Sequence, residues 1–175
     1  DERDERFAIE GRKPIDGHLK DFGDALAAEG NDADYVEQTE ARARAIVDAC
    51  RAAFLADVTA FAAQKAIDDL RTKGKSLATC NSYLRSIKGF TSRLCSDKRL
   101  RDDPLATVKQ FNEATDRRRL RRELTPDELN KLLATTETRT LKEHRFCGRD
   151  RAMLYRVAVG TGFRAGELRS LTPES

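Results

Sequence analysis

Helical periodicity is the feature of this sequence that most restricts its fold. Apolar residues recur every three or four positions through most of residues 14–96, and no alternating strand pattern is longer than a few residues. Residues typical of helix ends and starts divide this stretch, among them Gly30, Gly74 and Ser76. Four helices are therefore predicted: 14–29, from 32 or 34 to about 54, from about 59 to 74, and 76–96. The pattern indicates a mainly α protein.

Composition excludes several classes of protein. Of the 175 residues, 39% are apolar, which is enough for a core. The longest apolar stretches are too short to cross a bilayer, and the first residues, DERDERF, are charged where a signal peptide would be apolar. We therefore expect a cytoplasmic protein with no membrane partner.

The cysteines give little support for a metal site. The chain has four of them: Cys50, Cys80, Cys95 and Cys147. They form no CxxC pair, and the sequence has only two histidines to assist them. We expect reduced thiols that act as small apolar side chains, with no metal and no cofactor.

Charge is distributed unevenly along the chain. Residues 1–70 contain 9 Lys and Arg against 17 Asp and Glu, whereas residues 71–175 contain 24 against 13. A basic block of this size attracts polyanions and releases their counterions, so nucleic acid is the first candidate partner. A merely solvated surface is the alternative unless the basic residues share a face.

The fourth predicted helix carries the features that favour DNA binding. Its start, GKS at 74–76, does not belong to a nucleotide-binding loop, because Asp69 stands where that motif requires glycine. Basic and hydroxyl side chains cluster at its N-terminal end: Lys73, Lys75, Ser76 and Thr79. A predicted exposed face follows with Asn81, Arg85, Lys88 and Ser92, beside a row of small residues, Ala78, Ser82, Ser86 and Gly89. This arrangement suits a helix lying against a DNA backbone or in its groove, and an ordinary solvated face is the alternative.

Residues 97–122 lack sustained periodicity and are predicted to be a linker between domains. They include Pro104 and a block of five arginines: Arg117, Arg118, Arg119, Arg121 and Arg122. Arginine so concentrated is typical of a segment that contacts phosphates, although a linker can also be basic for solubility.

A second unit begins at LTPDEL with a strong helix-start signal. Thr125 is a predicted N-cap, Pro126 follows it, and Glu128 completes a capping box. The later segment DRAMLYRVAVGTG is apolar on most sides, as in a buried helix, and is followed by a short helix that starts near Arg164. Glu167 lies one turn after Arg164, so its carboxylate can orient the guanidinium toward a phosphate. A simple intrahelical ion pair is the alternative.

The order of these segments resembles that of tyrosine-type site-specific recombinases, or phage-type integrases, most closely the integrase-like recombinases of mobile elements. The resemblance covers nearly the whole chain through four segments: GKSLATCNSYLRSIKGF, RDDPLATV, LTPDELNKLL and RDRAMLYRVAVGTGFRAGELRSL. It implies a four-helix, SAM-like core-binding domain at 1–98, a basic linker at 99–122, and at 123–175 the helical N-terminal part of a truncated mixed α/β catalytic domain. In the family, the arginine of TGxRxxEL is the first of two catalytic arginines; that position is Arg164, with Glu167 and Leu168 completing the pattern.

The resemblance also implies a mechanism and partners. A tyrosine attacks a DNA phosphodiester to form a 3′-phosphotyrosyl intermediate, which a 5′-hydroxyl resolves without metal or cofactor. The family's lysine, its HxxR-like motif and its tyrosine nucleophile follow the arginine motif, but this chain ends at Ser175 and its three tyrosines all precede Arg164. We therefore expect a monomeric fragment that binds double-stranded DNA without cutting it, whereas the parent enzyme acts as a tetramer of protomers on DNA.

In the family, the two domains close around the duplex. The resemblance places on the inner surface Lys73, Lys75, Ser76, Thr79, Asn81, Arg85 and Lys88, with the arginine block crossing between the domains. Two other hypotheses stay open from the residues alone. One is a non-catalytic helical DNA-binding or architectural module, and the other is a helical domain whose basic half binds an acidic protein.

Overall fold

The computed structural model describes residues 2–118, 122–139 and 146–172, and these residues contain α-helices and no β-strand. The eight helices are α1 (Glu2–Gly11), α2 (Ile15–Ala28), α3 (Ala33–Ala49), α4 (Ala60–Thr72), α5 (Leu77–Ser96), α6 (Pro126–Glu137), α7 (Gly148–Thr161) and α8 (Ala165–Ser170). The mainly α class is thus confirmed. The described chain divides between residues 118 and 122 into two compact units, unit 1 and unit 2.

Unit 1 is built on the four predicted helices, α2 to α5. Their starts follow the local signals, since the side chains of Asp32, Thr59 and Ser76 each accept a hydrogen bond from a backbone N–H in the first turn of α3, α4 and α5. The core that these helices enclose includes Leu19, Ile46, Ile67, Leu84, Ile87 and Phe90, all almost completely buried. Each such side chain contributes roughly 1.5–3 kcal/mol of hydrophobic stabilisation.

Helix α1 was not predicted, and polar contacts hold it. The Arg6 guanidinium donates to the backbone oxygen of Asp97 at 3.1 Å, and the Arg101 guanidinium lies over the Phe7 ring, 5.5 Å from its centroid. Both partners lie in the turn that follows α5, about ninety residues away along the chain. Unit 1 therefore has five helices rather than four.

The segment after α5 differs from the linker that we predicted at 99–122. As far as residue 118 it belongs to unit 1, because Leu105 and Val108 are buried in its core and Phe111 packs partly against it. These apolar residues are three positions apart, and the intervening backbone is irregular, so the segment has no periodicity that sequence reasoning could detect. We call residues 105–118 the strap.

Unit 2 contains α6, α7 and α8. The predicted capping box is confirmed: Thr125 Oγ1 accepts from the Glu128 N–H at 3.2 Å, and Glu128 Oε2 accepts from the Thr125 N–H at 2.9 Å. Helix α7 begins tightly against the end of α6, where a Cβ on Gly148 would lie 2.2 Å from the backbone oxygen of Thr136. It ends at Gly162, whose φ of 73° favours glycine.

The prediction that α7 is a buried helix is wrong for unit 2 as described. Only Gly148 and Ala152 of this helix are buried, whereas Met153 and Val159 are more than half exposed. The helix is apolar on most sides, but the described residues of unit 2 cover only one of them. The sequence pattern predicts that the apolar sides of a helix should be buried, but it does not show whether other residues bury them.

The four cysteines are free thiols, as predicted. Burial raises the pKa of the Cys50, Cys80 and Cys95 thiols.

Among the described residues, no group of three or more His, Cys, Asp or Glu side chains is placed to hold a metal ion. None of the helices described here has the length and apolar character needed to span a membrane.

Candidate nucleic-acid interface

The strap lies along α5 and runs antiparallel to it. The Lys88 ammonium donates to the backbone oxygen of Val108 at 2.8 Å. Further along the strap, Phe111 is bound to Asn81, and Asp116 reaches the N–H of Leu77 at the start of α5. Successive strap residues thus meet earlier and earlier residues of α5, and the strap covers part of the face that we predicted to be exposed.

Asn81 corrects that prediction most clearly. Its side chain is 1% exposed, and its amide binds both backbone groups of Phe111, donating to the oxygen at 2.9 Å and accepting from the N–H at 2.8 Å. It also donates to Glu113 Oε1 at 2.9 Å. All these contacts anchor the strap, so Asn81 has a structural role and its predicted exposure is wrong.

Lys88 is likewise engaged by the strap. It is half-buried, and besides Val108 its ammonium reaches the backbone oxygen of Ala106 at 3.4 Å. Two carbonyl oxygens solvate the ammonium without neutralising it. Its positive charge therefore still contributes to the potential around α5, although it is not a freely exposed side chain.

A carboxylate already occupies the N-terminal end of α5. Asp116 Oδ2 accepts from the Leu77 N–H at 2.8 Å, and Oδ1 accepts from Arg118 Nε at 2.9 Å. Hydrogen bonds from Arg118 and from the Leu77 N–H lower the pKa of the Asp116 carboxyl. The predicted hydroxyl cluster is also internally paired, because Ser76 Oγ accepts from the Thr79 N–H and lies 2.8 Å from its hydroxyl. The free N–H groups that we expected here are thus partly used.

Arg118 fixes the end of the strap against the turn between α4 and α5. Its guanidinium donates to the backbone oxygens of Gly74 at 2.7 Å and Lys75 at 3.1 Å. Together with the contact between Asp116 and the Leu77 N–H, it places the backbone of Arg117 beside the turn that carries Lys73 and Lys75. The structure therefore gathers residues predicted from two separate segments.

Several of these cations keep their charge unpaired. Lys73, Lys75 and Arg117 are exposed and form no ion pair with any residue in the described part of the chain. The Arg85 side chain is 57% exposed and lies 3.9 Å from Glu113, at the limit of an ion pair. We call Lys73, Lys75, Arg85, Arg117 and Arg118 the basic edge.

An open groove of about 590 Å³ adjoins the basic edge, between α3 and α5 and against the end of α2. Its α5 side includes the predicted small residues Ser82, Ser86 and Gly89 together with Arg85. Its α3 side is formed by Tyr35, Thr39 and Arg42. Sequence reasoning missed these three, although their spacing of four and three residues places them on one helical face.

The rest of the arginine block is divided. Arg119 and Arg121 lie outside the described residues. Arg122 belongs to unit 2 and makes a bidentate ion pair with Glu128, at 2.7 and 2.6 Å. This pair and the Thr125 N–H lower the pKa of Glu128 to about 2. In this structure Arg122 therefore stabilises the start of α6.

Arg164 is the N-cap of α8. Its backbone N–H donates to Glu167 Oε2 at 2.7 Å, and its guanidinium Nη1 lies 3.5 Å from Glu167 Oε1. The predicted contact is thus present, but the side-chain contact is long and the Arg164 side chain is 88% exposed. Glu167 mainly caps the helix and only weakly restrains the guanidinium, which is accessible to a ligand.

No model of a known protein family, no curated protein and no solved structure matches this chain. Its function is therefore inferred from its residues and their contacts.

Proposed function

We propose that unit 1 binds double-stranded DNA through the basic edge. The observation that carries this proposal is the convergence of Lys73, Lys75 and Arg117, exposed and without ion pairs in the described chain, at one turn of unit 1. A cation that a carboxylate already neutralises contributes little to the binding of a polyanion, whereas an unpaired cation releases counterions from a phosphate backbone. Helices α2 to α5 then correspond to the core-binding domain that the resemblance implies.

The charge of the remaining surface favours the same orientation. Residues 71–118 contain 12 Lys and Arg against 5 Asp and Glu, whereas residues 1–70 are acidic. A polyanion is therefore attracted more strongly to the segment that carries α5 and the strap than to residues 1–70, over a distance of about 10 Å at 0.1 M salt. A merely solvated surface does not require the basic residues to be concentrated in one segment of the chain.

We further propose that the chain is part of a tyrosine-type recombinase in which Arg164 contacts the scissile phosphate. The motif TGFRAGEL and the accessible guanidinium at the start of α8 support this role. As the tyrosine oxygen bonds to phosphorus and the 5′-oxygen leaves, negative charge grows on the nonbridging oxygens, which a guanidinium stabilises. Loss of such a donor costs about 3 kcal/mol of barrier.

A salt series tests the DNA proposal. Fluorescence anisotropy of a labelled duplex, followed between about 50 and 200 mM salt, should give a steep linear fall of log affinity against log salt. If Lys73, Lys75, Arg85 and Arg117 each contact one phosphate, the slope is about −3.6, and Lys75→Gln reduces it by about 0.9. Lys20→Gln, the same change on an exposed residue of α2, is the control. A flat response in the unmodified protein contradicts DNA binding.

The non-catalytic DNA-binding module is the second candidate, and the long contact between Arg164 and Glu167 favours it. Arg164→Ala should leave duplex affinity unchanged under either candidate, because the basic edge supplies the affinity. The reading frame of the parent gene beyond codon 175 separates them. A lysine, an HxxR-like motif and a tyrosine in that frame support the recombinase, and their absence leaves the module.

A further inference from the structure

We propose that the groove between α3 and α5 holds a sugar–phosphate strand of the bound DNA, with Arg42 as a phosphate contact on its α3 wall. The inference rests on the proposed DNA binding and extends it from the basic edge to a second helix. Arg42 lies in the acidic half of the sequence, and only the fold brings it to the basic side of unit 1.

The shape of the groove suits a single strand rather than a whole duplex. From Ser82 to Ser96 its α5 wall is about 21 Å long, at 1.5 Å of helix per residue. Apart from Arg85 and Arg93, the residues of that wall are small, so that a strand can approach the helix backbone closely. The Ser82 and Ser86 hydroxyls donate to carbonyls of their own helix, at 3.0 and 3.1 Å, and add no bulk to the groove.

Charge within the groove is compensated at one end and not at the other. Arg93 pairs with Glu29 at 2.5 Å and with Asp97 at 3.1 Å, and these hydrogen bonds raise its pKa. Arg42 has only a neutral partner, Gln38 Oε1 at 2.9 Å, and forms no ion pair within the described residues. Arg85, weakly paired, lines the same groove.

The basic end of the groove is continuous with the basic edge, because Arg85 belongs to both. This continuity is the reason to choose DNA as the occupant over an acidic protein segment. A strand that contacts Lys75 and Arg85 would need only to continue along the α5 wall to reach the groove. Tyr35, 52% exposed on the α3 wall, offers a flat apolar surface for a deoxyribose.

The test compares two arginines on one helix. Arg42→Gln removes the unpaired charge, and Arg44→Gln is the matched control, since Arg44 is already neutralised by Asp16 at 2.5 Å and Glu40 at 3.1 Å. For one lost phosphate contact we expect Arg42→Gln to weaken duplex binding about eightfold at 0.1 M salt and to reduce the salt slope by about 0.9. Arg44→Gln should change the duplex affinity by less than twofold and leave the salt slope unchanged. Arg42→Lys should retain most of the affinity.

A second variant tests occupancy of the groove rather than charge. Ser82→Leu fills the α5 wall without changing any charge, and should weaken binding if a strand lies there. Circular dichroism confirms that each variant is folded. Equal affinities for Arg42→Gln and Arg44→Gln, or no effect of Ser82→Leu, overturn the inference.

The outcomes separate this inference from the proposed function. A normal salt slope that responds to Lys75→Gln but not to Arg42→Gln overturns only the groove. A flat response of the unmodified protein overturns DNA binding and the groove together. Binding to polyglutamate but not to duplex, lost in Arg42→Gln, also overturns the inference and assigns the groove to an acidic protein.

Discussion

Replacement of Asn81 by alanine should loosen the strap and destabilise unit 1. The side chain makes three hydrogen bonds, two to the backbone of Phe111 and one to Glu113. At a net value of about 1 kcal/mol each, their loss lowers the free energy of unfolding by about 3 kcal/mol. A domain of this size is stable by only about 5–15 kcal/mol, so the effect is large.

Hydrogen exchange measured by mass spectrometry localises the effect. A loss of about 3 kcal/mol should accelerate exchange roughly a hundredfold for strap amides that open with the Asn81 contacts. Urea unfolding followed by circular dichroism gives the global change by linear extrapolation. Ser92→Ala, on an exposed position of the same helix, should change neither quantity by more than about 0.5 kcal/mol.

The same variant distinguishes a structural Asn81 from a DNA-binding one. If Asn81→Ala keeps the unfolding free energy and the strap protection of the unmodified protein but loses duplex affinity, the strap does not shield this residue and its structural role is refuted. If stability falls, any loss of affinity should be accompanied by faster strap exchange.

Three other perturbations have defined outcomes. Gly148→Ala should destabilise unit 2 by about 1–3 kcal/mol through its clash with α6, whereas Gly160→Ala, with open space around it, should stabilise α7 by about 0.5–1 kcal/mol; thermal unfolding measures both. Arg122 lowers the pKa of Glu128 to about 2, so the stabilisation of α6 by the Glu128 carboxylate is fully present above pH 4.5 and is lost as the pH falls through about 2. Amide NMR of α6 can follow this loss. Asp116→Asn removes an anion from the basic edge and should raise duplex affinity at low salt, with a difference that fades near 1 M salt, where anisotropy should find equal affinities.

Helix starts were predictable because their determinants are local. Ser76 and Thr125 cap the first turns of α5 and α6 as expected, with partners only three residues away. Helix α1 was missed because its sequence, ERDERFAIEG, has few apolar residues and is held by Arg101 and Asp97 from a distant turn. Local sequence signals identify secondary-structure elements, but they do not reveal contacts between residues that are far apart in the sequence.

In the candidate site, too, local features were predictable from the sequence and long-range contacts were not. Arg85 is exposed, as its position on the predicted helix indicated, and so are Lys73 and Lys75, which precede that helix. Asn81 has the same helical spacing but is covered by a strap whose apolar residues follow no regular period. Arg42 lies in an acidic stretch of the sequence, and only the packing of α3 against α5 places it in the groove.

The strap also determines where the coding sequence can be truncated to express the first unit alone. A fragment ending at residue 98, the domain boundary that the resemblance implied, would lack Leu105, Val108 and Phe111 and would leave the buried amide of Asn81 without its partners. Such a polypeptide should aggregate or be degraded by host proteases, since an uncovered core is a ready target for both. A stop codon after residue 118 retains every residue of the first unit from 2 to 118 that the structure describes.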